Sequence, residues 1–456
     1  MLLDRMAGLA QTYWTGVFAQ SRSVHRAVSY GLGLLVAIGR RTVTSSIAAR
    51  GLEHQDWSGD YKLLSRSRWD AADLFAPALK TFLERFPSGL IPVALDETKV
   101  RKTGAKIPHV SWQRDPLSPP FANNFIRALR YIQASLLYPF HRDHQMAARG
   151  VPVAFVAAPV VKRPGHRATD EEKTAYRIAI REQNLSTQSL ELVEQLRARF
   201  DRAGASERFL IFAMDGSFCN RTMFSALLER THLIARARKD AKLCRPALPG
   251  SRRWYDEQTF TPEQVRSDDS IAFSEAIVRL GHQLHTVRFK ELSGILWRSG
   301  ARRRPLRLLV ISPPTYHVRG YRGQFRKPAF LLTTDLTTPA AALIQIYVDR
   351  WQIEVNHRDE KDLLGVGQAQ VWSPNSALRA PTFSVALYSL LLVASFIEFG
   401  PTRSSAFSDL PKWRSPSARP SLLDLLRLLR KQINEPQISP PPFATTPFQL
   451  VAAANA

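Results

Sequence analysis

The stretch Leu90-Ile-Pro-Val-Ala-Leu-Asp-Glu-Thr-Lys-Val100 predicts a strand with apolar residues on both of its faces, and its apolar run ends at Asp96. Such a strand is typical of the interior of a sheet that is covered on both sides. Phe209-Leu-Ile-Phe-Ala-Met-Asp215 repeats the pattern and again ends in an acid. The two segments predict an α/β fold in which Asp96 and Asp215 lie at the carboxyl ends of central strands, where such proteins bind ligands.

Further strands and helices are predicted around these two segments. The remaining elements of this region are the strands Phe125–Tyr138, Val151–Val161 and His232–Arg238, one long amphipathic helix over Asp170–Arg202 opened by Thr169, and a helix over Cys219–Arg230.

Changes in composition along the chain divide it into five segments. They are a helical N-terminal DNA-binding domain (1–88), the first part of the core (89–243), a β-rich insertion (244–338), the second part of the core (339–400), and a C-terminal helix with a disordered tail (401–456). A helical cap on the main domain would give the same pattern over residues 1–88. The apolar run Phe383–Phe399 is near the lower length limit for a membrane span, and we expect a buried helix there.

The charge balance indicates a polyanionic partner. Lys and Arg number 63 against 39 Asp and Glu, which gives a net charge of +24 and a pI near 10.5. Such a chain suits nucleic acid, because neutralised phosphates release counterions. The 45% hydrophobic content is too high for a small ribosomal protein, and no amphipathic basic helix of membrane-binding kind is present. Two cysteines and no signal-peptide pattern fit a cytoplasmic, nucleoid-associated protein.

A second informative stretch is Tyr347-Val-Asp-Arg-Trp-Gln-Ile-Glu-Val-Asn-His-Arg-Asp-Glu-Lys361. At about 100° per residue, its chemistry-bearing side chains fall within roughly 60° of arc on one helix. The three predicted faces are an active stripe of Tyr347, Arg350, Glu354 and Lys361, a core stripe of Ile344, Val348, Trp351 and Val355, and a solvent side of Asp349, Gln352, Asn356, Asp359 and Glu360.

Asp96, Asp215 and Glu354 form the candidate catalytic and metal-binding set. Three converging carboxylates need cations to neutralise them, and hard oxygen ligands favour Mg²⁺ or Mn²⁺. Two such ions about 4 Å apart would suit in-line phosphoryl displacement. An aspartate also often ends a strand simply as a turn former, so each residue alone is a weak signal. Glu97 points to the opposite face of its strand from Asp96 and is left out of the set.

The order Asp, Asp, Glu on strand, strand and helix resembles the DDE transposases, which have an RNase H-like fold. The spacing Tyr347-x2-Arg350-x3-Glu354-x6-Lys361 is similar to the YREK signature of cut-and-paste insertion-sequence transposases. This resemblance implies that the three acids bind two metal ions and that Tyr347, Arg350 and Lys361 contact transposon-end DNA. It also implies cleavage by water, attack by the new 3′-hydroxyl, and in many members a DNA hairpin whose flipped base is held by an aromatic, here Trp254 or Trp297.

The predicted partner is double-stranded DNA, both transposon ends and target, with a homodimer once two ends are synapsed. Arg238, with Arg236 and Lys239 nearby, is a further candidate DNA contact. Two alternatives stay open, a domesticated or inactive DNA-binding relative and an RNase H-like nuclease that hydrolyses without joining. The pairs His141/His144 and His282/His285 are expected to be ordinary histidines, because neither has a zinc-binding frame.

Overall fold

The computed structural model describes residues 1–434 with the exception of 105, 116, 117, 120, 123, 141–145, 282, 314, 317–323, 326 and 414–416. His141, His144 and His282 lie outside the described residues, as does the predicted disordered tail after residue 434.

A mixed sheet forms the centre of the molecule. Its strands in the first half of the chain are β1 (Ile91–Arg101), β2 (Ser111–Arg114), β3 (Phe125–Tyr138), β4 (Arg149–Ala157), β5 (Leu210–Met214) and β6 (Thr231–Arg236). β3 pairs antiparallel with β1, β2 and β4, whereas β5 lies parallel to both β1 and β6. The order β4-β3-β1-β5-β6, flanked by helices, is consistent with the predicted RNase H-like fold.

The second half of the chain prolongs the same sheet. Its strands are β7 (Leu243–Pro246), β8 (Tyr255–Phe260), β9 (Ser274–Leu280), β10 (Gln283–Ile295), β11 (Leu306–Ile311), β12 (Thr315–Tyr316), β13 (Gln324–Phe325) and β14 (Ala329–Thr333). β14 pairs antiparallel with β6, and β11, β10 and β9 follow in that order, so the sheet reaches ten strands. β7 and β8 form a separate ladder, as do β12 and β13.

Helices cover the sheet. They are α1 (Leu2–Trp14), α2 (Ser21–Val36), α3 (Val43–Ala48), α4 (Ser58–Ser65), α5 (Ala76–Arg85), α6 (Asp170–Glu182), α7 (Leu185–Phe200), α8 (Arg221–Phe224), α9 (Pro262–Ser267), α10 (Ala340–Asp349), α11 (Gln352–Arg358), α12 (Pro374–Phe399) and α13 (Leu422–Asn434). The N-terminal helices pack on α12, where Phe383 is surrounded by the rings of Trp14, Tyr30 and Trp69 at centroid distances of 5.9, 5.4 and 6.3 Å. One continuous apolar core joins residues 1–85 to the sheet.

α12 is the one described helix whose length and composition would suffice to cross a membrane, and 83% of its most apolar window is buried within the protein. It packs on β4 and on the N-terminal helices. The prediction of a buried helix over Phe383–Phe399 is confirmed, and the helix begins earlier, at Pro374.

Two helix predictions for the region between β4 and β6 are wrong. Residues 170–202 form two helices, because α6 ends at Glu182 and Asn184 caps a new one by accepting a hydrogen bond from the Thr187 N–H at 3.0 Å. Thr169 does open α6 with a capping box, as predicted. In Cys219–Arg230 only the four residues of α8 are helical. After Phe224 the chain is no longer helical, and at Arg230 it adopts a left-handed backbone conformation (φ 40°).

Candidate active site

The two aspartates lie side by side on neighbouring parallel strands. Leu95 of β1 is in register with Met214 of β5, so Asp96 and Asp215, the next residues of each strand, adjoin at the same edge. Asp215 directly follows the end of β5, as predicted. β1 continues to Arg101, so Asp96 lies within its strand, at the point where the fully buried part of the strand ends. Its Oδ1 accepts a hydrogen bond from the Glu97 N–H at 2.8 Å.

The residues after Asp215 explain how its carboxylate is oriented. Its Oδ1 accepts hydrogen bonds from the Ser217 N–H at 2.8 Å and from the Ser217 hydroxyl at 2.6 Å. A Cβ at Gly216 would lie 3.2 Å from the Arg236 carbonyl oxygen, so the close approach of β6 favours glycine there. Phe218 is fully buried and anchors the turn. The Asp-Gly-Ser-Phe sequence therefore holds one carboxylate in place.

Glu354 lies on α11, and the predicted single helix is interrupted just before it. α10 ends at Asp349 and α11 begins at Gln352, with Glu354 N–H donating to the Trp351 carbonyl three residues back at 3.0 Å. A π-helical turn over Asp359–Leu363 then follows α11. The tighter link at residues 350–351 changes the rotation of α11 relative to an unbroken helix.

Arg350 bridges the acids. Its Nη2 donates to Glu354 Oε1 at 3.0 Å, and its Nη1 lies 3.9 Å from Asp96 Oδ2. Burial lowers the pKa of Arg350, but Tyr347, Asp96 and Glu354 more than offset this, and the net shift is upward. The guanidinium group therefore stays charged between the two carboxylates.

Tyr347 and Lys361 complete the cluster. The Tyr347 ring lies 5.7 Å from the Arg350 guanidinium carbon, and burial raises the pKa of its hydroxyl, with the Asp215 carboxylate adding to that shift. Burial also lowers the pKa of Lys361, which the carboxylates of Glu360 and Asp96 oppose. The charge of Asp215 therefore acts on Tyr347, and the charge of Asp96 acts on Lys361.

Arg238 lies away from this cluster. It is exposed in the turn after β6, and its guanidinium group forms a forked hydrogen bond with Asp240 at 2.9 and 2.7 Å. Arg236, at the end of β6, is the arginine of this pair that acts on the site. Its charge lowers the pKa of the Tyr347 hydroxyl, and its carbonyl oxygen lies close to Gly216. Both arginines are candidate DNA contacts by sequence, and only the register of β6 in the sheet shows which of them lies beside Asp215.

The surroundings of Asp96 favour the protonated form of its carboxyl group. Burial raises the pKa of Asp96 to about 7, the Asp215 carboxylate adds to the shift, and Arg350 opposes it. Within the described residues, no three His, Cys, Asp or Glu side chains are grouped closely enough to enclose a metal ion. The donor set of carboxylate oxygens nevertheless fits a hard divalent cation, which Asp96, Asp215 and Glu354 would hold.

The opposite face of α11 was assigned wrongly from the sequence. All five residues predicted to face solvent are buried, whereas Trp351, predicted to face the core, is 60% exposed. Partners from distant segments form hydrogen bonds with four of these buried polar side chains. Gln352 accepts from Arg419 at 2.8 Å, Asn356 donates to the Gly150 carbonyl and the Tyr388 hydroxyl, Tyr388 donates to Asp359, and Glu360 accepts from Gln133 at 2.8 Å.

Gln133 is a residue that the sequence analysis missed. It lies on β3 directly opposite Asp96 and is fully buried. Its side-chain amide donates a hydrogen bond to Glu360, and so connects Glu360 to the strand beside Asp96. A glutamine within the apolar run of Phe125–Tyr138 was the available signal.

An RNase H-like sheet with acids at the ends of two central strands and on a facing helix defines a class of enzymes that cleave nucleic acid. The sequence pattern of the DDE superfamily endonucleases matches residues 16–302, more than half of the chain, and the chain belongs to this family. The matched region contains Asp96 and Asp215 and ends before Glu354. No curated protein matches the chain. Membership implies a DNA substrate, and the family typically uses divalent metal ions.

Proposed function

We propose that the protein is an insertion-sequence transposase of the YREK subgroup, which cleaves DNA at terminal inverted repeats and joins the freed ends to target DNA. One observation carries the proposal. Tyr347, Arg350 and Glu354, spaced as in that signature, lie together beside Asp96 and Asp215, with Lys361 close to Asp96. A nuclease that only hydrolyses has no need for this register of cations around its third acid.

The proposed roles follow from the contacts. Asp96, Asp215 and Glu354 would hold two Mg²⁺ or Mn²⁺ ions, which supply charge stabilisation at the scissile phosphate. Arg350 is charged and already close to both carboxylates, so it can bind a phosphate oxygen beside them. Tyr347 keeps its proton and can donate it in a hydrogen bond to a phosphate oxygen. Lys361 and Arg236 are further cations whose charges act on groups of the site, and they would hold the backbone of the bound strand.

Trp254 and Trp297 differ in their suitability for holding a flipped base. Trp297 is partly buried and packs against Phe224 at 6.0 Å. Trp254 is 58% exposed, and the Arg303 guanidinium carbon lies 3.9 Å from its ring centroid. Trp254 is therefore the residue on which a flipped base would stack if the reaction passes through a DNA hairpin.

The test compares excision and strand transfer on DNA that carries the inverted repeats flanking the gene, with Mg²⁺ present. Asp96→Asn and Glu354→Gln are expected to lower both activities by at least about 100-fold, the scale of losing one group that stabilises transition-state charge. Glu97→Gln is the matched control, because Glu97 adjoins Asp96 in sequence, faces the other side of the sheet and lies 3.9 Å from Lys99.

Two outcomes would contradict the proposal. Equal excision by the wild type and both acid variants would remove the catalytic assignment and favour an inactive DNA-binding relative. Cleavage without joined products would favour a hydrolysing nuclease. Dimerisation on paired ends and a nucleoid location belong to the same proposal, and sedimentation of the protein with end DNA tests the first.

A further inference from the structure

An exposed group of side chains lies on the β2–β3 ladder, away from the active site. Trp112 is in register with Arg127, and Arg114 with Phe125. Residues directly opposite each other on paired strands point to the same face. The ladder patch, consisting of these four residues, therefore alternates aromatic and guanidinium groups in two rows.

Both rings of the ladder patch face solvent. Trp112 is 68% exposed and Phe125 is 60% exposed, and Arg114 is exposed beside them. In the described part of the chain neither ring stacks on another ring or on a cation. On the reverse face Gln113 is buried and donates to the Ala128 carbonyl at 3.0 Å, so the register of the ladder is fixed by that side. Two large apolar rings exposed together on one face need a functional explanation.

The ladder patch shares a sheet face with Asp96. Asp96 is opposite Gln133, and Arg127 lies six positions from Gln133 along the same strand, an even step that returns to the same face. Six residues of antiparallel strand span about 20 Å. Between the two, Gly367 packs so closely on Val100 that a Cβ would lie 2.2 Å from Val100 Cγ1. The segment after α11 therefore covers the middle of this face, where Val100, Leu129 and Tyr131 are buried, and a strand leaving the active site would pass over that segment to reach the ladder patch.

We propose that the ladder patch binds a single-stranded segment of the DNA strand that leads away from the active site. The inference rests on the proposed function, since it takes the active site to cleave DNA. A span of about 20 Å corresponds to roughly six phosphates of one strand in a duplex at 3.4 Å each, and an extended single strand crosses it with fewer. Unpaired bases expose the faces that Trp112 and Phe125 can stack on, and Arg114 and Arg127 lie beside each ring to bind phosphates. A fully paired duplex hides those faces.

The test measures affinity by fluorescence anisotropy without metal, for an end duplex with a ten-nucleotide single-stranded extension and for the same duplex blunt. The wild type is expected to bind the extended DNA more tightly. The double variant Trp112→Ala/Phe125→Ala is expected to lose about tenfold or more in affinity for the extended DNA, because stacking contributes about 1–3 kcal/mol per base. Its affinity for the blunt duplex is expected to change by less than about twofold.

The controls separate this inference from folding and from the proposed function. Trp112→Phe keeps a stacking ring and is expected to retain most of the preference, and Trp413→Ala removes a still more exposed ring (89%) elsewhere. Asp96→Asn is expected to abolish cleavage and keep the preference, so failure of one proposal does not imply failure of the other. No preference in the wild type, or an equal loss on both DNAs in the double variant, overturns the inference. An unchanged preference in the double variant also overturns it and leaves a protein as the occupant.

Discussion

The buried carboxyl group of Glu360, close to the active site, has a raised pKa. Glu360 is 1% exposed, and burial raises its pKa to about 8, partly offset by the hydrogen bond that Gln133 donates. A carboxyl group with a raised pKa keeps a proton that the unfolded chain releases. The free energy of unfolding therefore falls as pH rises between the two pKa values, here from the ordinary 4.5 to about 8.

Glu360→Gln is expected to remove much of this pH dependence. Gln resembles the protonated acid in shape and can still accept the Gln133 hydrogen bond. The free energy of unfolding of the variant should exceed that of the wild type above about pH 8 and differ little from it near pH 4.5. The gain is roughly 1.4 kcal/mol for each unit by which the pKa of Glu360 is raised. Thermal unfolding followed by circular dichroism at pH 5 and 8.5 measures the difference. Glu229→Gln, at a site 84% exposed, is the control, and equal melting shifts at both pH values would contradict the prediction.

At the scale of the element, α11 shows which helix face the fold buries. Ile353 is fully buried and packs with Ala94, Leu137 and Ala148, whereas Trp351 points to solvent. Ile353→Ala is expected to lower the free energy of unfolding by about 2–5 kcal/mol through lost contacts and a residual cavity. Trp351→Ala is expected to lower it by less than about 1 kcal/mol. Urea denaturation of both variants tests this, and a larger loss at Trp351 would restore the orientation predicted from the sequence.

Periodicity located elements better than it located their ends. β1, β3 and β5 were predicted within a residue or two, because a strand buried on both sides leaves an unbroken apolar run in the sequence. The buried side of α11 was not predictable in the same way. Its polar residues are buried only because Arg419, Tyr388 and Gln133 supply hydrogen bonds from far along the chain.

The same distinction holds for the candidate site. Asp96, Asp215 and Glu354 could be named from strand ends and a helix stripe. The bridging position of Arg350 depends on the break before α11, which local sequence does not reveal. Arg236 rather than Arg238 faces the site because of the pairing of β6 with β5, a contact between distant residues.

For the whole molecule, the N-terminal helices belong to the main core. Trp14 and Tyr30 pack on Phe383 of α12, and the Trp14 indole donates to the Leu74 carbonyl at 3.1 Å. Near α3, the Arg41 guanidinium group donates to the Leu34 carbonyl at 2.7 Å, and Arg50 pairs with the buried Asp60. These cations are therefore committed to structural contacts. DNA binding by residues 1–88 stays a prediction. It would depend on the exposed side chains of this segment.

Deletion of residues 1–88 tests whether that segment is separable. Because it covers α12, the remaining chain would expose Phe383 and its apolar neighbours, and we expect it to lack cooperative unfolding and to aggregate. Residues 1–88 alone are also expected to lack a cooperative transition, since they lose the same contacts. Co-expression of the two fragments as separate chains should recover a soluble complex that resists limited proteolysis. A cooperative thermal transition and DNA binding by residues 1–88 alone would instead establish an independent DNA-binding domain.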